Sequence, residues 1–257
     1  MTKILALDFD GVICDGLAEY FYSSKLVYEQ IWHIPLSDEP QIQADFNYLR
    51  PIIETGWEMP LVIKALTVGY NVDQLFNDWQ NICQGILATE NLQSSFLSHA
   101  LDEVRQKQIN NNLWTWLNLH KIYPHVLDKI NNIIDNYKLF IITTKEGYFA
   151  QKLLESKGVD ISKITIIGKE KKRPKYESLR LIIAQEKVSS RDVYFIEDRL
   201  EALVAVGKQE DLQDVNLFLA SWGYNTKKTR DSITSKSRIN LLSLNDFTNG
   251  DIANSFF

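Results

Sequence analysis

This 257-residue sequence has two cysteines, no long apolar run and no excess of basic charge. Each of these features excludes a class of protein. The two cysteines, Cys14 and Cys83, lie far apart without a C-x-x-C spacing. This argues against a disulfide framework or a zinc site and fits a reducing compartment. No run of about 18 apolar residues is present, so we expect no membrane span. The net charge of -5 gives no general attraction to nucleic acid or to an acidic membrane surface.

The rest of the composition is ordinary for a globular protein. Hydrophobic residues make up 45% of the chain and charged residues 24%, as expected for a soluble protein with a real core. The length suits one large domain or two modest ones. Lys3 is followed by a short apolar run that reaches Asp8 at once, so the N-terminus does not resemble a signal peptide. We therefore expect a cytoplasmic protein.

The N-terminal stretch LALDFDGV, from Leu5 to Val12, combines an apolar run with two acids and a glycine. The run is too short for a helix and predicts a buried parallel strand. Asp8 and Asp10 follow it two positions apart, which places both carboxylates on one side of an extended chain. Gly11 allows a backbone conformation that other residues avoid, as a ligand-binding loop often requires. The alternative is a surface β-turn that happens to carry two acids.

Later apolar segments predict further strands that also end in polar groups. Lys138–Ile142 ends at Thr143, whose hydroxyl can donate a hydrogen bond to a phosphate, and Val193–Ile196 ends in Glu197 and Asp198. Two more strands are predicted at Ile164–Gly168 and Val215–Ala220. Because the carboxyl ends of parallel strands share one edge of a sheet, we expect these polar groups at one site. The basic tail beyond residue 225 is expected to run back over the sheet.

Between residues 16 and 123 the pattern changes from strands to helices. Apolar residues recur at helical spacing, as in the stripe that includes Leu17, Tyr20 and Val27, and the alternation typical of strands is nearly absent. The segment therefore predicts a mostly helical insert. Four tryptophans are expected to fill its core because each buries a large area: Trp32, Trp79, Trp114 and Trp116.

Within this insert, the segment Arg50–Glu58 gathers an arginine, a tryptophan and two acids around Gly56. That composition suits a loop that contacts a substrate. The favoured alternative is a helix end with Gly56 as its C-cap and solvated charges around it.

The motifs together resemble a known family. Asp8-Phe9-Asp10-Gly11-Val12 resembles the first motif of the haloacid dehalogenase superfamily of phosphatases, D-x-D-G-[TV]. A strand ending in Thr143, a lysine-rich stretch before a helix, and the acidic pair Glu197-Asp198 follow in the family's order. The predicted strand Val215–Ala220 ends in SWGYN, residues 221–225, which is similar to the ending of that strand in phosphoglycolate phosphatase relatives.

The resemblance covers the whole chain and implies an α/β fold. It implies a Rossmann-like parallel sheet of strand order 3-2-1-4-5, flanked by helices, in a core domain of residues 1–15 and 124–257. It also implies a mostly α-helical cap of the first class, inserted after strand 1 at residues 16–123.

The same resemblance implies a magnesium-dependent phosphomonoester hydrolase that acts on a small phosphorylated metabolite through an aspartyl-phosphate. Asp8 would attack phosphorus, and Asp10 would protonate the leaving oxygen and later activate water. Mg²⁺ would be held by the carboxylates of Asp8 and Asp198 and by the backbone carbonyl of Asp10. Thr143 and a lysine would neutralise the remaining phosphate charge. The residues expected to contact the substrate are Gly11, Thr144 and Arg50.

The lysine motif departs from the family's K-P-x-P form, because the matching positions read RPKY with Arg173 in place of the lysine. A planar guanidinium does not replace a compact ammonium in a tight site. Lys175 follows Pro174 directly and lies in the first turn of the predicted helix, from which it can project toward the phosphate. Lys175 is therefore the predicted lysine, and Lys172, one step out in the loop, remains the alternative.

Other functions on this fold stay open. A phosphomutase of the β-phosphoglucomutase type would use the same core, and a non-catalytic binding or regulatory protein is the alternative from a different class. A dehalogenase normally lacks the second acid and the metal, so Asp10 and Asp198 argue against it. A phosphonate hydrolase typically has alanine where Asp10 stands. We expect no nucleic-acid or membrane partner, and the substrate and the oligomeric state are left open.

Overall fold

The computed structural model describes residues 2–234 and 236–250 of the chain. Its strands are β1 (Lys3–Leu7), β2 (Cys14–Asp15), β3 (Lys121–Ile122), β4 (Tyr137–Ile142), β5 (Ile164–Ile167), β6 (Val193–Glu197), β7 (Asn216–Ala220) and β8 (Ile239–Leu242). Its α-helices are α1 (Leu17–Trp32), α2 (Glu39–Tyr48), α3 (Met59–Thr67), α4 (Val72–Thr89), α5 (Ser94–Leu117), α6 (Val126–Ile133), α7 (Gly147–Ser156), α8 (Lys175–Glu186), α9 (Leu200–Gly207), α10 (Lys227–Asp231) and α11 (Leu244–Asn249). The described residues divide into two compact units: the chain up to Asp15 and from Lys121 onward, and Gly16–His120.

The first unit contains a parallel sheet in the order β5-β4-β1-β6-β7-β8. Helices α7 and α9 pack against its strands. This confirms the predicted α/β class and, for the five strands predicted from the sequence, the order 3-2-1-4-5. A short antiparallel pair, β2 with β3, joins the two points at which the chain leaves and re-enters the unit.

The sixth strand of the sheet differs from the sequence prediction. β8 lies parallel to β7 at the edge, with Ile239 beside Leu217 and Leu242 beside Ala220. The tail therefore extends the sheet, and the expectation that it runs back over the sheet is wrong. Ile239 and Leu242 are buried whereas Leu241 is exposed, and a strand of only four residues is too short to show a clear alternating pattern.

The central position of β1 determines where the site lies. Its apolar residues from Ile4 to Leu7 are fully buried, as expected for a strand with parallel neighbours on both sides. Leu7 pairs with Ile141 on β4 and with Ile196 on β6. The residues that follow these three strands consequently emerge side by side at the carboxyl edge of the sheet.

The second unit is helical. Residues 16–120, all of which the structure describes, fold as α1–α5 with two 3₁₀ turns and no strand, which confirms the predicted helical character. Trp79 and Trp116 are buried, but Trp114 is 64% exposed. The expectation that Trp114 fills the core is wrong, because helical residues two positions apart do not face the same side. No helix in the described ranges has both the length and the apolar character needed to cross a membrane.

A buried ion pair lies inside this second unit. Arg105 donates Nε to Glu19 Oε1 at 2.7 Å and Nη2 to Glu19 Oε2 at 2.9 Å, which is the bidentate geometry. Glu19 is fully buried, and Ser23 Oγ also donates to it, at 2.6 Å. Both carboxylate oxygens therefore have hydrogen-bond donors, and the charge of Glu19 is paired with that of Arg105.

Candidate active site

Three elements of the first unit bring Asp8, Lys175 and Glu197 together. β1 ends just before Asp8, α8 begins at Lys175, and β6 ends at Glu197. Lys175 Nζ lies 2.7 Å from Asp8 Oδ1 and 2.5 Å from Glu197 Oε2. Asp8 and Glu197 are buried, and the Lys175 side chain is only 13% exposed. One ammonium group therefore bridges two buried carboxylates.

Burial and these contacts together shift the pKa values of all three groups. Burial, and then the charge of Glu197, raise the pKa of Asp8 to about 7, although Lys175 acts in the opposite direction. Burial also raises the pKa of Glu197. Burial lowers the pKa of Lys175, but the charges of Asp8 and Glu197 outweigh it, and the net shift is upward. Lys175 thus stays charged, while the carboxylates together lack a full counter-charge.

The carboxylates of Asp8, Glu197 and Asp198 each offer one oxygen that lies within 4.8 Å of the other two. Glu197 is already engaged on both oxygens, by Lys175 and by the Arg199 N–H at 3.1 Å. Asp8 Oδ1 is buried and, apart from the ion pair, accepts no hydrogen bond from the described residues. Hard carboxylate oxygens with excess negative charge suit a hard divalent cation. The donor set therefore fits a divalent metal ion, with Asp8 and Asp198 as the carboxylates best placed to hold it.

Asp198 is held by the backbone around it. Its Oδ2 accepts the Tyr224 N–H at 2.7 Å, and its carbonyl accepts a hydrogen bond from Asn225 Nδ2 at 3.0 Å. Gly11 has φ +85°, and a Cβ there would lie 2.1 Å from Asp198 Oδ2. A Cβ on Gly223 would lie 2.2 Å from Asp198 Cβ. Glycine at both positions therefore allows two loops to pack against the acid. A substrate contact by Gly11 stays a prediction.

Asp10 has a partner that sequence reasoning missed. Lys145 Nζ lies 3.3 Å from Asp10 Oδ1, and the two side chains are only 9% and 16% exposed. Lys145 directly follows the Thr143-Thr144 pair. A lysine next to a strand end carries no signal of its own, and only the folded loop reveals which acid it contacts.

Thr143 and Thr144 differ in their surroundings. Thr143 is buried, and its N–H donates to the Ile167 carbonyl at 2.9 Å. Its Oγ1 accepts the Lys145 N–H at 3.0 Å. A hydroxyl that accepts one hydrogen bond keeps its own hydrogen for donation, as contact with a phosphate oxygen requires. Thr144 is exposed. Their roles toward phosphate stay predictions.

Of the two lysines considered from the sequence, the structure brings Lys175 to Asp8. Lys172 is exposed and has φ +49°, at the end of a 3₁₀ turn. Arg173, at the family's usual lysine position, donates Nε to Ser178 Oγ at 3.2 Å. It forms no ion pair with Asp8, so the ammonium of Lys175 takes that place.

The SWGYN ending ties the loop after β7 to the loop after β1. Trp222 Nε1 donates to the Val12 carbonyl at 3.1 Å, and the Tyr224 hydroxyl donates to Asp15 Oδ1 at 3.0 Å. The sequence showed the similarity of this ending to known relatives but not the role of its residues. In the structure it fixes the D-x-D-G loop.

Arg50 lies in the second unit. Its Nη1 donates to the Ile53 carbonyl at 3.0 Å, and its guanidinium carbon lies 5.4 Å from the centroid of the Tyr20 ring. Both contacts are within the unit. The predicted contact between Arg50 and substrate stays a prediction.

The rest of the segment Arg50–Glu58 is organised by its last residue. Glu58 is buried and accepts the Thr55 N–H at 2.8 Å and the Trp79 Nε1–H at 2.7 Å. Gly56 begins a 3₁₀ turn that Thr55 caps. The interpretation of Gly56 as the C-cap of a helix is therefore wrong, because the turn here is a start, not an end.

Comparison with known proteins gives the class. The model of the haloacid dehalogenase-like hydrolase family matches residues 2–209. This chain therefore belongs to the haloacid dehalogenase-like hydrolases, and the superfamily inferred from the motifs is confirmed. No curated protein shows significant sequence similarity to it.

Solved structures share its fold at low sequence identity. A predicted phosphatase from Clostridium acetobutylicum is 14% identical, with a TM-score of 0.62 over 96% of this chain and 97% of that one. A predicted phosphoglycolate phosphatase from Haemophilus somnus is 14% identical, with a TM-score of 0.60 over 96% and 95%. A haloacid dehalogenase-like hydrolase from Streptococcus pneumoniae is 13% identical, with a TM-score of 0.59 over 93% of both chains. At these identities the likeness concerns the fold alone.

Proposed function

We propose that this hydrolase is a magnesium-dependent phosphatase that hydrolyses phosphomonoesters of small metabolites through an aspartyl-phosphate intermediate. The observation that carries the proposal is the placement of Lys175 Nζ 2.7 Å from Asp8 Oδ1, with Asp198 in the same carboxylate cluster. The relatives described as phosphatases support it, although they establish only the fold. A cytoplasmic location and the absence of nucleic-acid and membrane partners remain predictions.

Asp8 supplies the nucleophile. One carboxylate oxygen attacks phosphorus, a new O–P bond forms, and the bond from phosphorus to the leaving oxygen breaks. The ammonium of Lys175 holds Asp8 in place, favours its ionised form and attracts the phosphate. Thr143 donates its hydroxyl hydrogen to another phosphate oxygen. Phosphoryl transfer leaves the protein little covalent chemistry to supply, so positioning and charge neutralisation account for most of the rate.

Asp10 supplies the proton transfers. In the first step it protonates the leaving oxygen, and in the second it accepts a proton from the water that attacks the aspartyl-phosphate, which releases phosphate and restores Asp8. The ammonium of Lys145, 3.3 Å from Asp10 Oδ1, restricts the orientation of that carboxylate.

Asp8 and Asp198 would hold Mg²⁺ together with the Asp10 carbonyl. When bound, the ion would supply the missing counter-charge for the carboxylates and for the phosphate.

The test is hydrolysis of p-nitrophenyl phosphate with and without metal. We expect turnover with Mg²⁺, loss of turnover after chelation with EDTA, and recovery when Mg²⁺ is restored. Full activity after chelation would refute the metal requirement. No turnover of this ester or of a panel of phosphorylated metabolites, in a folded and metal-loaded protein, would refute the phosphatase. The same panel identifies the substrate.

A further inference from the structure

A cavity of about 170 Å³ opens in the first unit beside the carboxyl ends of β4 and β5. Five cationic side chains line it, four of them between Lys169 and Arg173 and the fifth being Lys175, together with the hydroxyls of Thr143 and Ser178. No carboxylate is among the described residues that line it. We propose that this cavity binds a second phosphate group carried by the substrate, so that the preferred substrates are bisphosphates. The inference rests on the proposed function, whose phosphate site it extends.

The positive charge of the cavity exceeds what the protein itself neutralises. Lys175 is engaged with Asp8 and Glu197, and Lys169 lies 3.0 Å from Glu146. Lys171 interacts electrostatically with Glu170. Lys172 and Arg173 form no ion pair with a carboxylate in the described ranges. A concave surface with unbalanced positive charge concentrates anions.

Arg173 has the geometry of an anion-binding residue. Its Nε donates to Ser178 Oγ at 3.2 Å, which fixes the plane of the guanidinium. Its two Nη groups have no hydrogen-bond partner among the described residues, and a guanidinium edge can hold two phosphate oxygens at once. Lys175, and not Arg173, contacts Asp8. The guanidinium of Arg173 is therefore available to bind another anion.

The cavity adjoins the proposed site of phosphoryl transfer. Thr143 and Lys175 line it, and both are proposed to contact the transferring phosphate. Its volume of about 170 Å³ equals that of several water molecules at roughly 30 Å³ each, which is enough for a tetrahedral anion. A second phosphate on the same molecule can therefore lie here while the first lies beside Asp8.

The test is a binding measurement that does not depend on turnover. The affinities of propane-1,3-diyl bisphosphonate and of propylphosphonate, which have one carbon chain and differ in the second anion, are measured by calorimetry with Mg²⁺ present. We expect the wild-type protein to bind the bisphosphonate about tenfold more tightly or better, since hydrogen bonds between charged groups are stronger than those between neutral ones. Arg173→Gln should remove most of that preference, and Arg173→Lys should restore part of it.

Arg191→Gln is the matched control, because Arg191 lies in the same unit, is 74% exposed and does not line the cavity. The control should keep the full preference. An equal affinity for both probes in the wild-type protein, or an unchanged preference in Arg173→Gln, would overturn the inference. The inference would also be overturned if propylphosphonate, measured with inorganic phosphate present, bound as tightly as the bisphosphonate. The occupant of the cavity would then be free phosphate.

The experiments distinguish failure of the proposed phosphatase activity from failure of the second anion site. A wild-type protein that lacks phosphatase activity but prefers the bisphosphonate through Arg173 would refute the hydrolysis and keep the second anion site. An active phosphatase without that preference would keep the hydrolysis and refute the second site.

Discussion

Each of the two units buries a charged cluster, and the two clusters differ in their charge balance. In the second unit, Glu19 is paired with the guanidinium of Arg105 through two hydrogen bonds. In the first unit, a single ammonium, that of Lys175, faces Asp8 and Glu197, and Asp198 completes the cluster.

This difference in charge balance indicates which of the two clusters is suited to bind a ligand. A buried pair with matched charges and satisfied hydrogen bonds is complete, so we interpret the pair of Glu19 and Arg105 as structural. Buried carboxylates that outnumber their cation cost folding free energy unless another cation joins them. The cluster around Asp8 therefore has the features of a site, and the following substitutions test that distinction from the largest expected effect to the smallest.

Replacement of Asp8 should have the largest effect on activity. Asp8→Asn removes the attacking charge, so we expect loss of measurable turnover in an assay with p-nitrophenyl phosphate. The fold should remain, because the substitution removes a buried charge that lacks a full counter-charge. Turnover close to wild type would assign the nucleophile elsewhere.

The Asp8→Asn variant also tests how the unfolding free energy depends on pH. The pKa of Asp8 is raised from 3.8 to about 7 in the fold, so the folded protein binds the proton more tightly than the unfolded chain. Ionisation of this group therefore costs stability as the pH rises from about 4 to about 7. Asn at this position does not ionise and avoids this cost. Without added metal, the unfolding free energy of Asp8→Asn minus that of wild type should therefore increase across this pH range, as denaturant titrations at several pH values would measure. A constant difference would contradict the charge imbalance.

Replacement of Lys175 should affect both activity and folding. Lys175→Ala removes the only cation bound to Asp8 and Glu197 in the described structure, and we expect kcat to fall roughly 10²–10³-fold, as for other electrostatic groups in transition states. Its thermal midpoint should fall and should recover partly when Mg²⁺ is added. Lys208→Ala, an exposed lysine in the same unit, is the control and should match wild type. Equal kinetics for both variants would remove Lys175 from the mechanism.

Replacement of Asp10 should affect proton transfer alone. Asp10→Asn should lower kcat by at least about a hundredfold for an alkyl phosphate, the usual scale for a positioned acid. The loss should be smaller for p-nitrophenyl phosphate, whose leaving group needs no proton. Equal losses for the two esters would mean that Asp10 acts in structure or metal binding instead.

Replacement of Arg105 tests the other half of the comparison. Arg105→Met leaves the buried carboxylate of Glu19 without its cation, and we expect a loss of about 3–5 kcal/mol in the unfolding free energy. The double variant Glu19→Leu with Arg105→Met should recover most of that loss, because no buried charge remains. A single variant as stable as wild type would show that the pair is not balanced as described.

The sequence predicted the site better than it predicted the contacts within it. Apolar runs followed by Asp8 and Asp198 could be located because strand ends of a parallel sheet meet at one edge. The contact between Lys145 and Asp10 could not be predicted, since it depends on the path of two loops that are far apart in sequence. Glu197 was seen only as one acid of a pair, whereas in the structure it holds Lys175.

Strand β8 was missed for a different reason. A strand of four residues at the edge of a sheet carries too little pattern to distinguish it from a loop. Its pairing with β7 depends on the sheet that is already in place. Short edge elements are therefore the part of this fold that local sequence determines least.

The smallest expected effect concerns Arg50, and it decides between two interpretations of the segment Arg50–Glu58. The hydrogen bond to the Ile53 carbonyl and the contact with the Tyr20 ring contribute about 0.5–1.5 and 0.5–1 kcal/mol in typical cases. Arg50→Ala should therefore lower the unfolding free energy by about 1–2 kcal/mol. If these contacts account for the side chain, KM should change equally for p-nitrophenyl phosphate and for the best substrate of the panel. A selective rise of KM for the larger substrate would instead establish Arg50 as a substrate-binding residue, because p-nitrophenyl phosphate lacks the groups that such a residue would recognise.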